Sequence, residues 1–228
     1  MAVTKEYPEA PAQAEPSSLA FANTVFAVRG QVREGLETPE RLAGWLGDHP
    51  LARSLYTGPG SGPGEPAGAV EPVGQAASEQ DVARFQELRD AIRTLIRAHI
   101  DATRPDAASA KALAVVNAAA ALAPSWPELV QDREPGNYRI QNHLSATSPL
   151  DTALSTLARD AAALLTGNEL ELLRACQAPG CVQFFIKDHP RRNWCSPSCG
   201  NRARVAKHYA RTREQQQQQA PDTRKNES

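Results

Sequence analysis

The stretch Cys176-Gln-Ala-Pro-Gly-Cys181 is followed, after thirteen residues, by Cys195-Ser-Pro-Ser-Cys199-Gly-Asn-Arg202, and together they contain all four cysteines of the chain. Two thiolate pairs separated by a short loop can surround one soft divalent cation as a tetrahedron. The spacing therefore predicts a structural Zn²⁺ site whose ligands are Cys176, Cys181, Cys195 and Cys199. Four thiolates leave no open coordination position, so we expect no Lewis-acid chemistry at this metal.

The residues between the cysteines predict the layout of a zinc finger. A tight turn at Pro179-Gly180 directs the first two thiolates at one ion. Residues 182–186 then read as a strand, 188–190 as a turn and 191–194 as the returning strand of a hairpin. The second cysteine pair opens a helix, whose dipole favours thiolates. Knuckle, hairpin and helix in this order predict a treble-clef-like finger.

Charge is divided unevenly along the chain. Residues 1–171 contain 14 Lys and Arg against 22 Asp and Glu, whereas residues 172–228 contain 11 against 4. A basic end on an acidic body predicts contact with a polyanion. The alternative is that the two parts neutralise each other within the fold.

The basic residues after the second cysteine pair are spaced for a helix. Arg204, Lys207 and Arg211 are three and four residues apart and share one helix face, which suits phosphate contacts and entry into a major groove. For Asn201 and Arg202 the alternative is an internal lock of the finger, and for Lys207 and Arg211 it is a plain solvated face. The predicted nucleic-acid contacts are Arg191, Arg192, Arg202, Arg204, Lys207 and Arg211.

The composition favours helices. Apolar residues make up 41% of the chain but aromatic residues only 5%, and Ala and Leu are strong helix formers. We expect a mainly α fold, with a helical N-terminal domain that contains a small β-hairpin around Pro135-Gly136, followed by the treble-clef-like finger. Apolar periodicity and N-caps place the helices after Ser17 or Ser18 (to about Arg29), Thr38, Ser78, Asp106, and Ser148 or Asp151.

The sequence divides into four segments. Residues 1–16 are predicted to be a disordered tail, and residues 17–171 a helical domain that contains a flexible Gly/Pro-rich loop at 57–77. Residues 172–213 form the finger with its basic helix. Residues 214–228, which include a glutamine run, are predicted to be a second disordered tail.

Several classes of protein are disfavoured. No apolar run reaches the length of a membrane span, and the N-terminus lacks the pattern of a secretory signal, so we expect a cytoplasmic protein without membrane contact. In that compartment paired cysteines bind metal more often than they form disulfides. No hydrolase, metalloprotease or dinucleotide motif is present, so we expect no enzyme and assign no catalytic residue.

The tetrapeptide Cys199-Gly200-Asn201-Arg202 resembles the CGNR zinc-finger family. Further matches to that finger are Arg174-Ala175-Cys176, Pro179-Gly180-Cys181, Phe184-Phe185, Arg192-Asn193-Trp194-Cys195-Ser196 and Tyr209-Ala210-Arg211. The body is similar to the ABATE domain that accompanies this finger, through Phe21-Ala22-Asn23-Thr24, the segment from Thr38 to Leu46, and the segment from Ala161 to Gly167. The resemblance covers residues 17–213 and implies a bacterial, stress-induced transcription regulator.

Three functions are compatible with this reading. The first is a DNA-binding regulator in which zinc is structural, the basic helix contacts nucleic acid and the body senses an unknown small-molecule effector or forms a homodimer. The second is a protein–protein interaction module supported by the zinc finger. The third, an enzyme with a pocket near Tyr138 and His143, has no motif behind it. The roles of Asn23, Arg29 and His143 stay open.

Overall fold

The computed structural model describes residues 15–28, 30–49, 77–132, 134, 136–145 and 148–219. Across these residues the fold is mainly α, with six helices, three two-stranded antiparallel hairpins and a C-terminal cluster of four cysteines, which confirms the predicted fold class. Arg29, nearly all of the loop predicted at 57–77 and most of the tail predicted at 1–16 lie outside the described residues. No helix in the described ranges has the length and apolarity needed to cross a membrane.

The elements follow one another from body to finger. The helices are α1 Ser17–Ala22, α2 Pro39–Asp48, α3 Glu79–Ile100, α4 Ala107–Ala120, α5 Pro149–Thr166 and α6 Pro197–Gln219. The hairpins are β1 Val25–Val28 with β2 Gln31–Glu34, β3 Ser125–Gln131 with β4 Tyr138–Leu144, and β5 Leu173–Ala175 with β6 Phe184–Ile186. A 3-10 turn, Leu170–Leu172, leads into β5.

Four of the predicted helix starts are confirmed by side-chain caps. The side chains of Thr38, Ser78, Asp106 and Ser148 each accept a hydrogen bond from the backbone N–H three residues later. Helix α3 lies at the centre of the body and buries the apolar face that its periodicity predicts, namely Val82, Phe85, Leu88, Ile92, Leu95 and Ile96.

The first helix is shorter than predicted. It ends at Ala22, and Val25–Val28 form a strand instead of continuing the helix to Arg29. β-Branched and aromatic side chains favour the strand, and the Thr24 hydroxyl donates to the Phe21 carbonyl at the helix end. Gly35 follows β2 at the open end of the hairpin, where its N–H donates to the Thr24 carbonyl at 2.9 Å and a Cβ would clash with that carbonyl oxygen.

The β3–β4 hairpin confirms the predicted turn at residue 136, where Gly136 has a φ of +86°. In this hairpin the imidazole of His143 forms a hydrogen bond with the Glu128 carboxylate and stacks on Trp126, with ring centroids 5.7 Å apart. Tyr138 is 64% exposed and lies an odd number of residues from His143, so strand alternation puts the two on opposite faces. The hairpin therefore does not bring these two side chains together on one surface.

The finger's strand pairing differs from the prediction. β6 pairs with β5, upstream of the first cysteine, in the register Leu173↔Ile186 and Ala175↔Phe184. Residues 191–194 form a turn and irregular backbone instead of a strand, because this polar segment offers no apolar alternation to match that of β6. The helix α6 also continues to Gln219, beyond residue 213, which reflects the good helix propensity of glutamine. The predicted tail at 214–228 stays a prediction.

Strand β6 belongs to two cores at once. Phe184 and Ile186 are buried in the core of the helical body, together with Leu173. Phe185, which faces the other way, packs with Cys176, Ala178 and Cys199 in a small core of the finger. The predicted division at residue 172 stays a prediction, and apolar packing continues across it.

Asn23 fixes this strand to the body. Its side-chain amide donates to the Phe184 carbonyl at 2.9 Å, and its side-chain oxygen accepts from the Phe184 N–H at 2.9 Å. The amide therefore pairs with Phe184 as a neighbouring strand residue would. Asn23 and its partner are 161 residues apart in sequence, so this contact joins the first helix of the body to the finger.

We predict that Asn23→Ala lowers the free energy of unfolding by about 2–4 kcal/mol, since it leaves two backbone groups of Phe184 without partners. Urea unfolding would measure the loss, and hydrogen exchange would show faster exchange of the Phe184 amide. The exposed Asn117→Ala should change stability by less than about 0.5 kcal/mol. An unchanged exchange rate at Phe184 in the Asn23 variant would contradict this role.

Candidate metal centre and nucleic-acid interface

The β5–β6 hairpin and the start of α6 bring the four cysteines together. Cys176 follows β5, and its N–H donates to the Gln183 carbonyl at 2.9 Å. The Cys181 N–H donates to the Ala178 carbonyl at 2.9 Å, closing the knuckle, where Gly180 has a φ of +70°. On the opposite side, the Ser196 hydroxyl accepts from the Cys199 N–H at 3.2 Å and so caps the first turn of α6.

The sulfur positions fit a tetrahedral metal site. All four Sγ atoms lie within 4.8 Å of one another. The Cys195–Cys199, Cys199–Cys181 and Cys181–Cys195 sulfurs are 3.4, 3.7 and 3.8 Å apart. Bonds of about 2.3 Å from Zn²⁺ to sulfur give a tetrahedral edge of about 3.8 Å. The separations are too long for disulfides, whose sulfurs lie about 2.05 Å apart.

The thiols of the cluster influence one another's charge. Contacts with Cys176 and Cys181 raise the pKa of Cys195, and the contact with Cys176 raises that of Cys181, whereas contacts with Cys181 and Cys195 lower the pKa of Cys176. Four adjacent thiolates repel one another unless a cation lies between them. A soft divalent ion replaces the thiol protons and holds all four sulfurs as thiolates.

The residues after Cys199 support the cluster. Gly200 lies against Trp194, and a Cβ at this position would be 2.8 Å from Trp194 Cδ1. Arg202 donates from Nη2 to Cys199 Sγ at 3.1 Å, and its Nε is buried without a hydrogen-bond partner. The Arg202 guanidinium therefore contacts the cysteine cluster directly. This contact favours a role for Arg202 inside the finger over a phosphate contact.

The predicted nucleic-acid residues fall into two groups. Arg192 is held inside the finger by Asp188, by the Cys195 carbonyl and by the ring of Phe185, which lies 5.3 Å from its Cζ. Arg202 is held by the cluster. Exposed side chains belong to Arg191 and to the helix residues Arg204, Lys207 and Arg211.

Sequence reasoning missed the contacts between the body and the finger. Besides Asn23, Arg93 donates to the carbonyls of Ala22 and Val182 and thereby bridges α1 to the finger. Gln183 was missed as well, and its Oε1 lies 3.4 Å from Cys195 Sγ. The signal for Asn23 was its place in the Phe-Ala-Asn-Thr motif, whereas Arg93 looked like one more cation on the polar side of a helix.

Comparison with family models finds two matches in this order along the chain. Residues 15–168 match ABATE, described as "Putative stress-induced transcription regulator", and residues 173–212 match the CGNR zinc finger.

The chain belongs to the ABATE family. Together with the sulfur geometry, the match to the CGNR finger makes the metal a structural Zn²⁺. Neither model describes an enzyme family. A search of curated proteins found no match. The two matched segments of this ABATE protein meet where β6 packs on α3.

Removal of zinc should loosen the finger and spare the body. The finger core contains Phe185 and Ala178 with two cysteines, too little apolar surface to hold the start of α6 without the ion. With a chelator, we expect amides of residues 195–203 to exchange much faster while those of the buried part of α3 keep their protection, as read by hydrogen exchange. Unchanged protection at residues 195–203 would contradict a structural metal.

Arg202→Gln should weaken zinc binding by about 10–100-fold, because the hydrogen bond to Cys199 Sγ is lost. Competition with a chromogenic chelator would measure the affinity, and Arg204→Gln is the matched control with no expected change. If the chain binds DNA, the salt dependence of that binding at saturating zinc should equal that of the parent. A reduced salt dependence with intact zinc affinity would instead identify Arg202 as a phosphate contact.

Proposed function

We propose that this ABATE protein is a zinc-dependent, DNA-binding transcription regulator, with Cys176, Cys181, Cys195 and Cys199 as zinc ligands and α6 as the DNA-contacting element. The family description supports the regulatory role. The observation that carries the proposal is the uncompensated cationic face of α6. This face lies on a helix whose first turn is fixed by the four-cysteine cluster.

The exposed part of α6 supports this proposal. From Arg204 to residue 216, every side chain except Ala206 and Thr212 is exposed. Within the described chain no carboxylate forms an ion pair with Arg204, Lys207 or Arg211. These three cations lie along one side of a helix that is free to enter a groove.

The metal gives this helix a defined direction. Cys195 and Cys199 tie the first turn of α6 to the knuckle, and β6 ties the knuckle to the body core. Because the first turn of this cationic helix is already fixed, binding to a duplex does not require the entropy cost of ordering that turn. Exposed Arg191, in the turn before Cys195, is the further contact that we assign to the DNA backbone.

Protein docking is the second candidate, and two exposed apolar side chains favour it. Val205 is 46% exposed and Tyr209 is 70% exposed, one turn apart on α6 beside the cationic face. Such a surface fits an acidic protein partner, including the acidic body of a second copy of the chain.

Replacement of Arg204, Lys207 and Arg211 by Ala should reduce the salt dependence of DNA binding. If each contacts one phosphate, the slope of log K against log salt falls by about 3. Fluorescence anisotropy with a labelled duplex, over a series of salt concentrations, would measure it. The matched control replaces the exposed Arg104, Lys111 and Arg139 by Ala, which removes equal charge from the body and should leave the slope unchanged.

Two outcomes would overturn the proposal. One is a zinc-loaded parent without duplex affinity even at low salt. The other is a charge reversal at Arg204, Lys207 and Arg211 that dissociates an oligomer and leaves DNA binding intact, which would support protein docking.

A chelator should abolish DNA binding if zinc positions α6.

A further inference from the structure

A groove of about 360 Å³ lies where α3 meets the finger. It is lined by Asp90, Arg93, Thr94 and Arg97 from α3 and by Phe184 from β6. This volume is near the lower end of the range for small-molecule sites in proteins. The DNA-contacting helix α6 contributes none of these residues, so the groove is a separate feature of the surface.

Three arginines at four-residue intervals, Arg89, Arg93 and Arg97, follow one side of α3 beside this groove. The first is compensated within the fold. Arg89 is 2% exposed and forms ion pairs with Glu34 at the end of β2 and with its neighbour Asp90. Its positive charge is therefore not available to a ligand.

Arg93 and Arg97 have no carboxylate partner among the described residues. Arg93 donates to two neutral carbonyls, to Ala22 at 2.6 Å and to Val182 at 2.9 Å. The Cζ atoms of Arg93 and Arg97 lie 5.0 and 5.2 Å from the centre of the same Phe184 ring. Two positive charges thus flank one aromatic ring at the wall of the groove.

The surroundings of Arg93 favour an added negative charge. Burial, and then the positive charge of Arg89, lower the pKa of Arg93, and Arg97 acts in the same direction, against the opposing charges of Asp90 and Glu34. A negative charge that enters the groove would therefore stabilise the charged form of Arg93.

We infer that this groove binds a small oxyanion, the carboxylate or phosphate group of a low-molecular-weight ligand, through the guanidinium of Arg97 backed by Arg93. A planar guanidinium donates two parallel hydrogen bonds to such a group. Asp90, whose side chain is 64% exposed at the groove, can accept a hydrogen bond from a hydroxyl or amine of the same ligand. Its carboxylate also disfavours anions without such a donor.

The groove lies at the contact between body and finger. Arg93 joins α1 to the finger, and Phe184, which both arginines flank, is the residue that Asn23 holds. An oxyanion here offsets the repulsion between Arg93 and Arg97 and so stabilises the packing of β6 against the body. If the proposed DNA-binding function is correct, this stabilisation also links ligand occupancy to the placement of α6.

The test uses the zinc-loaded full-length protein and two probes, inorganic phosphate and acetate, at constant ionic strength set with chloride. We expect saturable stabilisation by at least one probe in thermal unfolding, as mass action requires for a ligand of the folded state. Arg97→Gln should weaken that binding about 10-fold or more, because one charge-assisted contact is lost. Arg104→Gln, an equal charge change just beyond α3, should bind like the parent.

The probe that stabilises identifies the headgroup, phosphate or carboxylate. Absence of saturable stabilisation by both, or equal loss in Arg97→Gln and Arg104→Gln, overturns the inference. If neither free anion binds and Arg97→Gln instead lowers the salt dependence of DNA binding, the groove is part of the nucleic-acid surface and the small-ligand site is rejected. These assays with free anions contain no DNA, so they read this site independently of the proposed function.

Discussion

The pairing of the Asn23 amide with the backbone of Phe184 is the constraint on which the arrangement of this molecule depends. It places β6, a strand of only three residues, so that Phe184 and Ile186 enter the body core while Phe185 enters the finger core. Burial of one such phenylalanine stabilises by about 1.5–3 kcal/mol, and the two unmet backbone groups would cost a similar amount. The strand therefore fixes both cores in relation to each other.

Strand β6 lies between two features of the molecule. On the finger side is the cysteine cluster, and on the body side is the groove beside Arg93 and Arg97. The knuckle begins directly after β5, and Gly180 at its tip lies 3.1 Å, measured from its ideal Cβ position, from the Cα of Gly30 in the β1–β2 turn. The cysteines then fix the base of α6. The metal thus acts as a scaffold that fixes where the cationic helix emerges.

Arginines perform three different tasks around this scaffold, and their surroundings separate the tasks. Arg89 is buried and paired with Glu34 and Asp90, Arg202 and Arg192 stabilise the finger, and Arg204 faces solvent. Arg93 and Arg97 fit none of these descriptions, because both guanidinium groups lie near one Phe184 ring and neither forms an ion pair with an acid among the described residues. This contrast within one chain is why the junction groove, rather than the β3–β4 hairpin, is the place to look for a ligand.

The sequence by itself determined the local features. Cysteine spacing identified the metal cluster, caps at Thr38, Ser78, Asp106 and Ser148 located the helices, and helical spacing grouped Arg204, Lys207 and Arg211, because each of these signals acts over a few residues. Only the tertiary structure decided that β6 pairs with β5, that Asn23 reaches Phe184, that Arg202 contacts Cys199 and that Arg93 and Arg97 share one ring. Most of these contacts join residues far apart in the chain, and a polar side chain has the same appearance in sequence whether it meets water, a thiolate or a distant backbone.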